Sequence, residues 1–184
     1  MNERVMQPER LISTESIYDG RIVNVRADTV ALPNGRRALR EVVEHRDAVV
    51  IVPIDADGNV VLVRQYRYPV GRSLLEAPAG IVEPGESSND TAQRELREET
   101  GFRAGDLKPL GGFWSSPGFC TEYMHVYLAR DLEPSPLEPD EDEQINTERH
   151  TLALIPDRIR AGDIQDAKTV AALLMATCLP ETSR

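Results

Sequence analysis

Two cysteines in 184 residues, Cys120 and Cys178, are too few for a disulfide framework, and both stand in apolar surroundings. They are expected as reduced thiols in or near a core, as suits a cytoplasmic protein. Long apolar runs are also missing. Residues 48–54 include a proline and residues 170–179 contain Thr177, so neither approaches the roughly 20 apolar residues of a membrane-spanning helix. The opening MNERVMQPERLIS lacks the apolar stretch and small-residue cleavage site of a secretory signal. Basic charge is in short supply as well. With 21 Lys and Arg against 31 Asp and Glu, the formal net charge of −10 argues against nucleic acid as a partner, since such partners are met by a basic face. His45, His125 and His150 are scattered without metal-ligand spacing and read as surface or strand residues. No nucleophile–base pairing around either cysteine suggests covalent catalysis.

What is present is ordinary for a globular chain: 40% hydrophobic and 28% charged residues, enough for one domain of residues 47–184 with an N-terminal strand extension, 1–46. Residues 22–32 and 37–45 read as strands joined at Asn34-Gly35, a strong hairpin signal. A second hairpin is expected from residues 48–54 and 60–66 around Asp57-Gly58-Asn59. Pro69, Gly71, Pro78, Gly80, Pro84 and Gly85 then break the chain into loop and short strand. Residues 87–100 read as a helix, with Ser87 or Ser88 as N-cap, Ala92 and Leu96 as an apolar pair, and Gly101 at the C-terminal cap. Strands follow near 108–115 and 123–129, then an acidic, proline-containing loop at 131–148. A last strand at 151–155, a short helix at 156–161 and a helix from about 166 to 179 complete an α/β or α+β sandwich rather than a parallel doubly wound sheet.

The densest chemistry lies in GIVEPGESSNDTAQRELREETGF, from Gly80. On a helix of 3.6 residues per turn, Glu95, Glu98 and Glu99 share one face. Clustered Glu and Arg on a helix usually mean a solvated, salt-bridged surface. Three like charges together destabilise an isolated helix, however, and hard cations resolve that conflict by taking oxygen ligands and bridging carboxylates to phosphates. Glu86, in the loop turned by Pro84-Gly85, can fold back onto the same face. Arg94 can reach Glu98 at i+4, or Glu86, and steady a ligand.

With Gly80, Glu86, Arg94, Glu95, Glu98, Glu99 and Gly101 in register, this segment resembles the Nudix box at every fixed position. The resemblance implies a three-layered α/β/α sandwich with a mixed sheet, and a Mg²⁺ enzyme (Mn²⁺ being possible) that cleaves a pyrophosphate. Glu95 and Glu99 are the implied principal ligands, Glu86 and Glu98 serve further ions, and the Ala79 carbonyl joins the shell. Outside the box, Arg64-Gln65-Tyr66-Arg67, Leu75-Glu76-Ala77-Pro78-Ala79-Gly80 and Ser116-Pro117-Gly118 resemble the ADP-ribose pyrophosphatase branch, although GDP-mannose hydrolases share some of these segments. The implied reaction is ADP-ribose to AMP and ribose 5-phosphate. The alternatives are another nucleoside diphosphate sugar, such as GDP-mannose, or a non-catalytic ADP-ribose sensor.

Arg67 and Arg64 are candidate forks for a terminal phosphate. Three residues apart on a strand, they point to opposite faces, so Arg67 is expected in the site and Arg64 in a structural ion pair. Tyr66, Tyr68 and Trp114 can stack on adenine, though aromatics near strand ends are more often core or interface. Glu122 is a candidate contact to the metal cluster or the ribose. The acidic segment 131–148 holds eight carboxylates and no basic residue, by default a solvated loop. The branch carries a catalytic glutamate there, matching Glu143 or Glu141 before Ile145, while Glu98 is a further catalytic candidate. The N-terminal strands resemble an extension used for dimerisation, implying a homodimer with no membrane partner.

Overall fold

The computed structural model describes residues 7–138 and 144–178. Its first strands are Arg10–Asp19 (β1), Asn24–Ala31 (β2) and Arg37–Glu44 (β3), an antiparallel sheet in the order β1-β2-β3. Asn34-Gly35 makes the β2–β3 turn, with Gly35 at a φ of 80° that favours glycine. β1 was not anticipated. Its alternation is weak because every residue in it is exposed, including Leu11, Ile12, Ile17 and Tyr18. Residues 114–122 belong to the same compact unit as the chain up to Arg46. They dock on β3, where the Val43 N–H donates to Phe119 O at 2.7 Å and the Thr121 N–H donates to Val43 O at 3.0 Å.

The second unit comprises residues 47–113 and those from 123 onward. Its strands are Ala48–Pro53 (β4), Asn59–Arg67 (β5), Arg72–Glu76 (β6), Ala79–Ile81 (β7), Phe102–Trp114 (β8), Tyr123–Pro134 (β9) and Ile145–Thr151 (β10). Its helices are Ser88–Thr100 (α1), Ile155–Ala161 (α2) and Ala167–Cys178 (α3). A mixed sheet runs β7-β4-β9-β8, with β4 parallel to β9 and antiparallel to β7; an antiparallel sheet runs β10-β5-β6. This is the expected mixed α/β sandwich.

β4 explains why the layers stack as they do. All six of its residues are buried, so both faces need cover. Val49 and Ile51 pack with Ala92 and Leu96 of α1, while Val50 and Val52 pack with Val60, Leu62, Leu75, Ala172 and Leu173. Full burial of a side chain such as Leu96 stabilises by about 1.5–3 kcal/mol. The two-sided demand also overturns the expected hairpin of 48–54 with 60–66. β4 and β5 lie in different sheets, with an isolated bridge between Ile54 and Val60 where the chain passes from one to the other. A hairpin would have left one apolar face of β4 to be covered elsewhere.

Other boundaries moved. The strand expected at 151–155 instead occupies Ile145–Thr151 and is followed by a 3₁₀ turn, Leu152–Leu154, leading into α2. The expected loop 131–148 therefore begins inside β9 and ends inside β10; pairing of Glu148 with Leu62 outweighs the polar composition. Cys120 is half-buried, but Cys178 is exposed at the end of α3 rather than near the core. Among the described residues no helix is long and apolar enough to cross a membrane.

Candidate active site

The α1 helix starts and stops where its sequence dictates. Ser87 is the N-cap, its Oγ accepting the Asp90 N–H at 3.2 Å, and such a cap is worth about 1 kcal/mol. Gly101 closes the helix at φ 77°, donating its N–H to Arg97 O. Between them, Thr91, Ala92 and Leu96 are buried, which turns the carboxylate face toward β7.

That face is organised by one guanidinium. Arg94 donates through Nε and Nη2 to the two Glu86 oxygens at 3.1 Å each, and through Nη1 to Glu95 at 2.7 Å and Glu98 at 2.9 Å. The sequence left Glu98 and Glu86 as alternatives; Arg94 takes both, and Glu95 besides. Burial alone would lower the Arg94 pKa, but these carboxylates outweigh it and raise it well above the usual arginine value. The same hydrogen bonds hold Glu86 below the usual carboxylate range, helped by Thr91 Oγ1 at 2.8 Å. Thr91 is fully buried, a support that the sequence reading missed because a lone threonine in a helix carries no signal.

Glu99 is only 7% exposed, and its Oε2 accepts the Ala79 N–H at 3.3 Å. One residue on, β7 passes so close to α1 that a Cβ on Gly80 would overlap the Glu95 carboxylate. Glycine is thus needed there for close approach, which brings the Ala79-Gly80 backbone together with Glu95 and Glu99. Three carboxylates share one guanidinium, and Glu99 lies on the same helix face, so carboxylates outnumber Arg94 here. An all-oxygen donor set in charge surplus fits a hard divalent cation. Among the described residues no three such side chains already form a closed metal cage. An ion that keeps several waters and is completed by substrate phosphates needs no such cage.

Arg67 and Arg64 do face opposite ways, and both are in ion pairs. Arg64 forks onto Glu148 at 2.5 and 3.3 Å. Arg67 forks onto Glu76 at 2.8 and 2.7 Å, so it is engaged rather than open to a ligand. Its pKa is raised by Glu76 against the opposing effect of burial, with smaller contributions from the fields of Glu99 and Asp166. Glu76 is itself 1% exposed and is shared with Lys168 of α3. Neither Glu76 nor Lys168 was singled out in the sequence; a glutamate inside the apolar LLEAPA run was the available signal.

The aromatic candidates are not core. Tyr66 is 55% exposed, Tyr68 86% and Trp114 55%. Glu122 lies in the unit of the N-terminal sheet, 3.4 Å from His45 Nδ1. Glu141 and Glu143 lie outside the described residues.

Comparison with known proteins agrees with this geometry. Residues 44–173 match the NUDIX domain family, and residues 9–43 match the nucleoside diphosphate sugar hydrolase N-terminal domain. The chain is 38% identical to an ADP-ribose pyrophosphatase of Bacillus subtilis (strain 168), covering 90% of each chain. It is 41% identical to a methanol dehydrogenase activator of Bacillus methanolicus, again covering 90% of each. A solved structure described as an ADP compounds hydrolase superposes with a TM-score of 0.87 at 32% identity, covering 95% of both chains.

Proposed function

The chain belongs to the NUDIX domain family and is a Nudix hydrolase, and from that premise we propose that it hydrolyses ADP-ribose to AMP and ribose 5-phosphate with Mg²⁺. The observation that carries this reading is the surplus of carboxylates on α1, gathered by Arg94 and drawn against Ala79-Gly80. The ADP-ribose pyrophosphatase at 38% identity supports the choice of substrate.

In this reading Glu95 and Glu99 are the principal ligands, Glu86 and Glu98 serve further ions, and the Ala79 carbonyl joins them. When bound, the metal supplies charge neutralisation for the diphosphate and a lowered pKa for a water. The rest falls to the chain's own side chains. Arg94 keeps Glu86, Glu95 and Glu98 from springing apart. Glu143 or Glu141 takes the proton of the attacking water, with Glu98 a further catalytic candidate. Arg67 grips a phosphate of the substrate, Arg64 braces β10 through Glu148, and exposed Tyr66 is a candidate contact to the nucleoside. The uncovered apolar residues of β1 support a homodimer formed through the N-terminal sheet, with residues 1–46 as the dimerisation extension and 47–184 as the hydrolase domain. A cytoplasmic location goes with this reading.

A second reading is turnover of another ADP compound by the same box; the 32% identical structure, whose description is that broad, favours it. The test is phosphatase-coupled release of phosphate from ADP-ribose, ADP-glucose, GDP-mannose and NADH with Mg²⁺. Preference for ADP-ribose is expected. Preference for another substrate discards the specificity while keeping the chemistry. Tight ADP-ribose binding without turnover would mean a sensor. For the base, Glu143→Gln or Glu141→Gln should cost more than about tenfold in turnover, ~1.4 kcal/mol of transition-state stabilisation.

A further inference from the structure

Behind Arg67 stands a second cation that the reaction does not use. Glu76 is buried to 1% exposure where β6 ends, and its Oε2 receives both Arg67 Nη2, at 2.7 Å, and Lys168 Nζ from the start of α3. Lys168 also lies 3.0 Å from Asp166. Asp166 in turn caps α3 by accepting the Thr169 N–H and Oγ1–H at 2.9 and 2.6 Å, and Thr169 Oγ1 donates no further than this cap while accepting the Ala77 N–H at 2.8 Å. α3 is thereby pinned to the segment leading into Ala79, and Lys168 has little freedom. Arg67 is different: its side chain is 37% exposed against 20% for Lys168.

We propose that Lys168 is a positioning residue, the standing counter-ion of Glu76 that frees Arg67 to leave its ion pair and turn onto a substrate phosphate. The inference rests on the reading of Arg67 as a phosphate-binding side chain. A carboxylate as buried as Glu76 cannot be left without a cation, because breaking such a pair exposes the full desolvation cost of the remaining charge. With Arg67 alone as partner, Glu76 would hold it in place and the phosphate would compete poorly. With Lys168 already bound to the same oxygen, Glu76 stays compensated when Arg67 moves. Glu76 is met by two cations, one of them also shared with Asp166, so that Arg67 can be lent to the ligand.

The test is steady-state kinetics on ADP-ribose, or on whichever nucleoside diphosphate sugar the wild type prefers, with thermal melts in parallel. Arg67→Gln, Lys168→Met, Lys168→Arg, Glu76→Gln and the Lys168→Met/Glu76→Gln double variant are compared. Lys168→Met is expected to raise KM about tenfold with a smaller change in kcat. Lys168→Arg should restore most of that loss. Removing the charge that traps Arg67, in the double variant, should bring KM back toward the wild-type value even though a second residue has been changed. A direct Lys168–phosphate contact, or a purely structural role, predicts no such rescue, so a double variant no better than Lys168→Met overturns the proposal. A normal KM in Lys168→Met, with KM raised in Arg67→Gln, overturns it too while leaving the Arg67 reading intact. A normal KM in Arg67→Gln removes the premise and the proposal together.

Discussion

Glutamates gather at two places in the hydrolase unit, and the company they keep differs. At α1 three carboxylates, Glu86 just before the helix and Glu95 and Glu98 on it, share one guanidinium, Arg94, with Glu99 beside them on the same face. Some 20 residues earlier in the chain, one buried carboxylate, Glu76, is shared by two cations, Arg67 and Lys168. The first cluster has negative charge over and calls for a cation. The second sets two cations against Glu76 and Asp166, so that Glu76 keeps Lys168 if Arg67 turns to an anion. A metal-bound diphosphate answers both at once.

The sharpest way to break the comparison is at the first cluster. Glu99→Gln keeps the shape and the Ala79 hydrogen bond but removes a charge, and should lower kcat/KM by about 10²–10³-fold, measured by phosphate release. A change of less than tenfold would mean that Glu99 is structural. Gly80→Ala places a methyl where the Glu95 carboxylate now sits, and should lower turnover by about 10–100-fold through a displaced ligand, with an unchanged circular dichroism spectrum. Wild-type turnover in that variant would show that Glu95 has room to move.

Arg94→Met tests the surplus charge itself. Without the guanidinium the carboxylates repel, and stability should fall by about 1–3 kcal/mol in denaturant melts. Added Mg²⁺ should then raise the melting temperature of the variant more than that of the wild type; an equal rise would place the ion elsewhere. The smallest expected effect separates the second cluster by pH. Burial pushes the Glu76 carboxyl up, but Arg67 and Lys168 outweigh it and hold it below its usual value. Its contribution to stability is therefore full above an ordinary glutamate pKa of about 4.3 and is lost as the pH falls through the lowered folded value. Melts of the wild type should weaken over that descent, and Glu76→Gln should flatten it. Parallel curves would mean that Glu76 is protonated alike in the folded and unfolded chain.

The box was legible because its signals are local. Helix periodicity, the Ser87 cap, the Gly101 stop and the spacing of Glu95, Glu98 and Glu99 are all set within a few turns of one element, and the structure places them as the spacing implies. The alternation rule likewise put Arg64 and Arg67 on opposite faces. What the sequence could not reveal is partnership over distance. Glu76 and Lys168 are 92 residues apart, as are Ala77 and Thr169, and nothing in either segment names the other. The supposed β4–β5 hairpin failed for the same reason. Local turn chemistry at Asp57-Gly58 was right, yet pairing was decided by which sheets could bury both faces of β4.

By itself, then, the sequence determined the helix and the carboxylate face, because each depends on chain geometry over a few residues. Only the tertiary structure decided which cation meets which carboxylate. An ion pair in a buried site is chosen by what packing brings together and what desolvation forbids to stand alone, and neither is written in neighbouring residues.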